Sequence, residues 1–128
     1  LASQLDATGI RMTLLRKNGR DTESIKKAKQ IKVAFNIAKN ITSSTGSKVA
    51  YARILQPDKE VLRKSDSNVF KYENRDICYS MKRDFDFTGE ETSLEMYWNI
   101  EETLQEGEYS VFIFVDGNMI GSAKANFD

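Results

Sequence analysis

Apolar and polar residues alternate with a period of two along most of this chain, the spacing of a half-buried β-strand. The cleanest run puts Ile31, Val33, Phe35 and Ile37 on one face and Lys32, Ala34, Asn36 and Ala38 on the other. Ahead of it, Ile10, Met12 and Leu14 form a first strand that stops at an Asn18-Gly19 turn. A third strand spans 48–55 and ends at Pro57-Asp58, where proline presets φ for a tight turn. A short strand follows around Val61 to Lys64, and then a less regular connection through SDSN and VFKYEN. From Asp76 the pattern predicts one long strand, with Ile77, Tyr79, Met81, Phe85 and Phe87 on its apolar face. Ser80, Lys82, Asp84 and Asp86 take the opposite face, and Arg83 interrupts the apolar one at a bulge or near the rim. Leu94, Met96, Trp98 and Ile100 point inward from the next strand. The chain closes on a hairpin, Tyr109 to Val115 and onward past the Asp116-Gly117 turn. No helical period is sustained after residue 9. The expected fold is all-β, an antiparallel sandwich of about seven or eight strands.

Leu1 and Leu5 lie one helical turn apart, and Gly9 would end a helix there. Residues 1–9 are therefore read as the tail of an upstream helix or a linker, and residues 10–128 as a single β-sandwich domain. The chain opens without a methionine, so a segment is expected ahead of it.

Composition mainly removes chemistries. Apolar content of 40% with 30% charged residues describes a soluble globular domain. No apolar run approaches the ~20 residues that cross a bilayer. The chain has no histidine, which removes His-ligated metals and histidine-based nucleophilic catalysis. Its single cysteine, Cys78, cannot form an internal disulfide; it falls on the polar face of its strand and reads as an inert small side chain. Asp84, Asp86, Glu90, Glu91 and Glu95 gather around the Thr88-Gly89 turn. They lack the fixed spacing of a calcium loop, and Lys82 and Arg83 stand beside them, so a solvated hairpin is expected and calcium binding is left open. Paired carboxylates suit glycoside hydrolysis, but nothing in the sequence raises a pKa among them. The expectation is a non-enzymatic domain without a cofactor.

Charge is uneven along the chain. Residues 1–64 hold 14 Lys/Arg against 5 Asp/Glu, a balance of +9, and residues 65–128 hold the reverse, −9. Interleaved strands would neutralise the two halves; a basic surface for an acidic polymer or lipid is the other reading. RKNGR and KKAKQIK are basic but lack the aromatics that stack bases, so no nucleic-acid binding is expected. A glycan platform needs several coplanar rings, and Tyr97 stands alone on the outer face of its strand.

The penultimate strand departs from the pattern. Tyr109, Val111, Ile113 and Val115 form its core face, yet the opposite face carries Phe112 and Phe114. Across the turn, Met119 falls on that same side, with Gly121, Ala123 and Ala125 following. Phe112, Phe114 and Met119 are therefore the candidate interface, the alternative being cover from the chain's own loop at 20–29 or 65–75.

Leu104-x-x-Gly107-x-Tyr109 resembles the tyrosine corner of immunoglobulin-like and fibronectin type III folds, with Val111 where antibody domains carry a cysteine. LLRKNGRD, RILQPDKEVL, NVFKYENRDICYSMKRDFDFTGEE and LQEGEYSVFIFVDGNMIGSAKANF together resemble uncharacterised bacterial proteins in which a long coiled coil leads into one immunoglobulin-like domain. The resemblance implies an immunoglobulin/fibronectin-III-like sandwich at the end of a coil, without catalytic residues to carry over. A domain of that type suggests a periplasmic or cell-envelope setting. The expected function is a protein-protein interaction or structural module that meets a partner protein or a second copy. The alternative is a ligand-binding sandwich for a glycan or an anionic polymer.

Overall fold

The computed structural model describes residues 4–128. Ten strands follow in order: β1 (Ala7–Leu15), β2 (Asp21–Thr22), β3 (Gln30–Ile37), β4 (Gly46–Leu55), β5 (Val69–Tyr72), β6 (Arg75–Cys78), β7 (Met81–Phe87), β8 (Thr92–Asn99), β9 (Gly107–Val115) and β10 (Asn118–Phe127). All pair antiparallel, and there is no helix among the described residues. One four-stranded sheet runs β2-β1-β3-β8, a second runs β10-β9-β4-β7, and β5 and β6 form a separate hairpin.

The alternation read from sequence fills the space between the two large sheets. Ile31, Val33, Phe35 and Ile37 face Ala50, Ala52, Ile54, Val111 and Ile113 across one continuous core, with Trp98 and Tyr109 among its largest fully buried side chains. Each such valine, isoleucine or phenylalanine side chain taken out of water stabilises the fold by about 1.5–3 kcal/mol.

Several expectations are corrected. The first strand starts at Ala7, not Ile10, so part of the segment read as helix tail or linker belongs to the sandwich, and Leu5 is buried in the core. Gly9 ends no helix: it sits at φ 61 inside a register shift between Thr8 and Arg11, where the extra residue of a bulge favours glycine. Leu1, the other half of the helical reading, lies outside the described residues. Secondly, the long strand from Asp76 is two strands. Ser80, expected on the polar face, is buried and breaks it: its N–H donates to Ala52 O at 2.7 Å, and its Oγ accepts from Ile54 N–H at 2.8 Å. The strand expected at 61–64 shrinks to one bridge, Leu55 to Val61. Thirdly, a register shift between Met119 and Gly121 changes the parity of β10. Gly121, Ala123 and Ala125 thus turn to the core side, opposite Ile113, Val111 and Tyr109, rather than joining Phe112 and Phe114.

At the other margin β7 and β8 are neighbouring edge strands. Arg83 stands near the rim, as expected, and donates from Nη1 to Glu95 O of β8 at 2.8 Å, tying the edges of the two sheets together.

The Tyr109 hydroxyl donates to Gln105 O at 2.6 Å, closing the loop before β9. Burial, with Asp58 and Glu102 nearby, pushes that hydroxyl up to about 12. Its unfolded value is about 10, so the neutral form favours the fold. The stabilisation is complete below pH ~10 and is lost as pH rises toward 12. Tyr109→Phe is expected to cost about 1 kcal/mol at neutral pH through the lost bond. It should also flatten the alkaline decline in a urea-denaturation series from pH 8 to 12.

Candidate functional site

The outer face of the β10-β9-β4-β7 sheet is where the sequence departs from alternation. Register sets its side chains in rows: Tyr51, Phe114 and Met119 form one, and Arg53, Phe112 and Ser122 the next. Such cross-strand neighbours touch, so apolar residues in one row make a continuous surface.

The β5–β6 hairpin covers most of that surface. Its tip, Glu73-Asn74, has positive φ at both residues (49° and 63°), the backbone of a type I′ hairpin turn. Phe70 stacks flat on Tyr51, with ring centroids 4.4 Å apart and 6° between planes. Phe70 and Tyr72 also meet Phe114, at 5.1 Å and 5.0 Å, and Tyr79 meets Tyr51 at 5.3 Å. Arg53 Nε donates to Cys78 O at 2.9 Å, and Tyr79 N–H donates to Asn68 O, fastening the base of the hairpin. The result is a small aromatic core outside the main one.

The three candidate interface residues therefore separate. Phe114 is 4% exposed and buried by its own chain, which corrects the expectation that it forms a free surface. Phe112 is half-buried, and Met119 is 41% exposed at the margin of the aromatic cluster. The covering hairpin falls within the connection left irregular in the sequence reading. Its signal was present: Phe70 and Tyr72 alternate with Val69 and Lys71 ahead of a polar Glu73-Asn74 turn.

Sequence reasoning also missed Lys48. It sits on the core-facing side of β4 with its side chain only 5% exposed. Its Nζ donates to Asp116 Oδ2 at 2.6 Å and to Ser44 Oγ at 3.3 Å. Asp116 has φ 54 in the β9–β10 turn, so the pair ties that turn to β4. Asp116→Asn keeps a side chain suited to positive φ while leaving the buried ammonium without its counter-charge. It is expected to cost about 2 kcal/mol by thermal or urea denaturation, whereas Lys48→Met should stay within about 1 kcal/mol of the parent.

Three of the five acidic residues near the β7–β8 turn have polar partners of their own. Glu90 pairs with Lys39 at 3.9 Å, Asp86 accepts from Ser47 Oγ, and Glu95 pairs with Lys32 at 3.2 Å. The hydrogen bond from Lys32 holds the Glu95 carboxyl below the usual carboxylate range. Among the described residues no three His, Cys, Asp or Glu side chains gather to hold a metal ion. Cys78 is half-buried, with the Arg53 guanidinium 4.0 Å from its Sγ. Tyr97 is exposed and donates to Glu95, and Trp98 lies in the core with Lys64 Nζ 4.1 Å from its ring centroid.

Residues 8–128 match the family described as Domain of unknown function (DUF8428). The chain belongs to that family. No curated protein matches the sequence. Among solved structures it is similar to part of beta-glucosidase 3B from Thermotoga neapolitana in complex with glucose, with a TM-score of 0.60 and 10% identity. That likeness covers 97% of this chain and 16% of the other. It is also similar to part of the Pseudomonas fluorescens alkylpurine DNA glycosylase AlkC, bound to DNA containing an abasic site analog. There the TM-score is 0.50 with 12% identity, over 97% of this chain and 30% of that one. At such identities the likeness speaks for the fold alone. No helix among the described residues is long and apolar enough to cross a membrane.

Proposed function

We propose that this DUF8428 domain is a non-catalytic interaction module that meets a second copy or a partner protein through the margin of its outer aromatic cluster, at Met119 and Phe112. The observation that carries this reading is an outer sheet face with an aromatic layer of its own, beside which Met119 stays 41% exposed. A large apolar side chain held at the edge of a rigid aromatic platform is a common form of protein contact. An immunoglobulin/fibronectin-III-like topology fits the β2-β1-β3-β8 and β10-β9-β4-β7 strand orders and the Tyr109 to Gln105 bond. Both solved neighbours match over a minor part of their own length, so a sandwich of this shape serves there as one piece of a longer chain. A place at the end of a coiled coil is consistent with that role.

Methionine oxidation tests the contact. Met12, Met81 and Met96 are each 9% exposed or less, so dilute peroxide should convert Met119 first. Protection of Met119 that grows with protein concentration is the expected result. Oxidation at one rate across all concentrations would count against self-association through this margin.

A further inference from the structure

Strand pairing fixes which backbone groups of β10 are in use. On one side of β4, Ser80 N–H donates to Ala52 O and Ile54 N–H donates to Ser80 Oγ. Hydrogen bonding alternates from one residue to the next along a strand, so Arg53 and Leu55 turn their N–H and C=O the other way, toward Phe112 and Ser110 of β9. Tyr109, Val111 and Ile113 are then the residues of β9 that bond to β10, at Ala125, Ala123 and Gly121. Ser122, Lys124 and Asn126 are left with their N–H and C=O pointing away from the sheet. The end of the strand gives the same parity. Asp128 N–H donates to Glu23 O at 3.0 Å, and Asp128 O accepts from Ile25 N–H at 2.7 Å, both on the side away from β9. The backbone groups of Ser122, Lys124 and Asn126 have no such partner among the described residues.

An unpaired edge of this kind is a template for another strand, and folded proteins usually cover or blunt it. The opposite margin of the sandwich is tied by the Arg83 bond to Glu95 O. β10 has no such cover: β1 packs beneath it, on the core side, where a Cβ on Gly121 would meet Ile10 and Ala7. Residues 23–25 begin a ladder at Asp128, then turn inward at the buried Ile25 and leave the rest of the edge open. Below the open stretch runs a groove of about 610 Å³ between β1–β2 and the end of β10. Buried Met12, Leu14 and Phe127 and half-buried Ala125 line it, with exposed Arg16 and Glu23 at its rim.

We propose that the edge of β10 at residues 122–126 binds an extended peptide segment of a partner protein as an added strand, with apolar side chains at every second position. The segment's backbone meets the free N–H and C=O groups of Ser122, Lys124 and Asn126. Its residues between those contacts turn their side chains down into the groove, because side chains alternate across a strand. Five residues of strand span about 17 Å, so a short segment suffices. A second copy of β10 fits this edge less well. Its core-side residues there are Ala123 and Ala125, which pack on its own core and would leave the groove unfilled. The contact lies on the edge of the sheet and not on its outer face, so it does not rest on the Met119 and Phe112 margin.

The test selects a phage-displayed library of random heptapeptides against the chain and synthesises the enriched peptides. Enriched sequences with apolar residues at alternate positions are expected. Hydrogen exchange then reads the site: in the free chain the amides of Ser122, Lys124 and Asn126 should exchange faster than those of Ala123 and Ala125. Bound peptide should slow the first three by about tenfold or more. Lys124→Pro removes one free N–H and should weaken binding about tenfold or more, while Lys124→Ser keeps it and should change affinity less than about twofold. If the proline variant fails to fold, the peptide is altered instead. N-methylation of alternate residues should abolish binding in one of the two phases and spare it in the other. Absence of any enriched peptide, or enriched peptides that leave those three amides exchanging as before, would overturn the proposal. So would protection of the same amides that grows with protein concentration in the absence of peptide, which would place a second copy on the edge.

Discussion

Phe114→Ala is expected to destabilise the fold by about 3 kcal/mol, near the lower end for a buried phenylalanine. Phe114 is 4% exposed and touches Phe70 and Tyr72 of the covering hairpin as well as its row partner Tyr51. Truncation removes ring contacts on two sides and leaves a void that the hairpin fills only by shifting. Met119→Ala, on the neighbouring strand in the same row, should cost less than about 1 kcal/mol, because its side chain is already largely in water. Urea denaturation of the two variants side by side decides the matter. Equal, small effects would mean that the hairpin does not hold the outer face.

The second large effect is expected at Gly121. A Cβ there would stand 2.7 Å from Ile10 Cδ1, 3.1 Å from Ala7 Cβ and 3.2 Å from Ala7 O. The isoleucine end can swing away, but the Ala7 carbonyl belongs to the backbone of β1. β1 and β10 lie side by side at this margin, and Gly121, Ala123 and Ala125 are the small residues that let them approach. Gly121→Val should therefore cost about 3 kcal/mol through overpacking and displace the start of β1. Gly117→Ala is a contrasting site: no atom lies within 4 Å of the added Cβ, and only its φ of 75° resists the change. A melting temperature for Gly121→Val equal to that of the parent would show that β1 does not press on β10.

Much of the sandwich was legible because a period of two is a direct consequence of one buried face. Ile31 to Ile37, Leu94 to Trp98 and Tyr109 to Val115 follow it without exception on the core side. The parts that were not legible are those where a local device changes parity. The bulge at Met119–Gly121 adds one residue and reverses which side the following small residues face, and alternation carries no mark of it. Ser80 reads as an outward polar residue, yet its hydroxyl replaces a backbone acceptor and allows the chain to break there. Lys48 opens the third strand with no mark of burial in the sequence, and its meeting with Asp116, distant along the chain, accounts for that burial.

The candidate interface was legible in composition but not in depth. Phe112 and Phe114 are on the outer face, as their parity requires. Whether an outer apolar residue is free depends on what folds over it, and that was decided by four residues of β5, too few for periodicity to mark strongly. The basic segment was legible as charge from the outset.

Sedimentation equilibrium over a wide concentration range, on the parent beside Met119→Glu and Phe112→Glu, tests the interaction-module reading most directly. Reversible self-association of the parent is expected, with both variants folded and monomeric at the same concentrations. A parent that remains monomeric throughout, with variants of unchanged stability, would contradict a contact between copies at this margin.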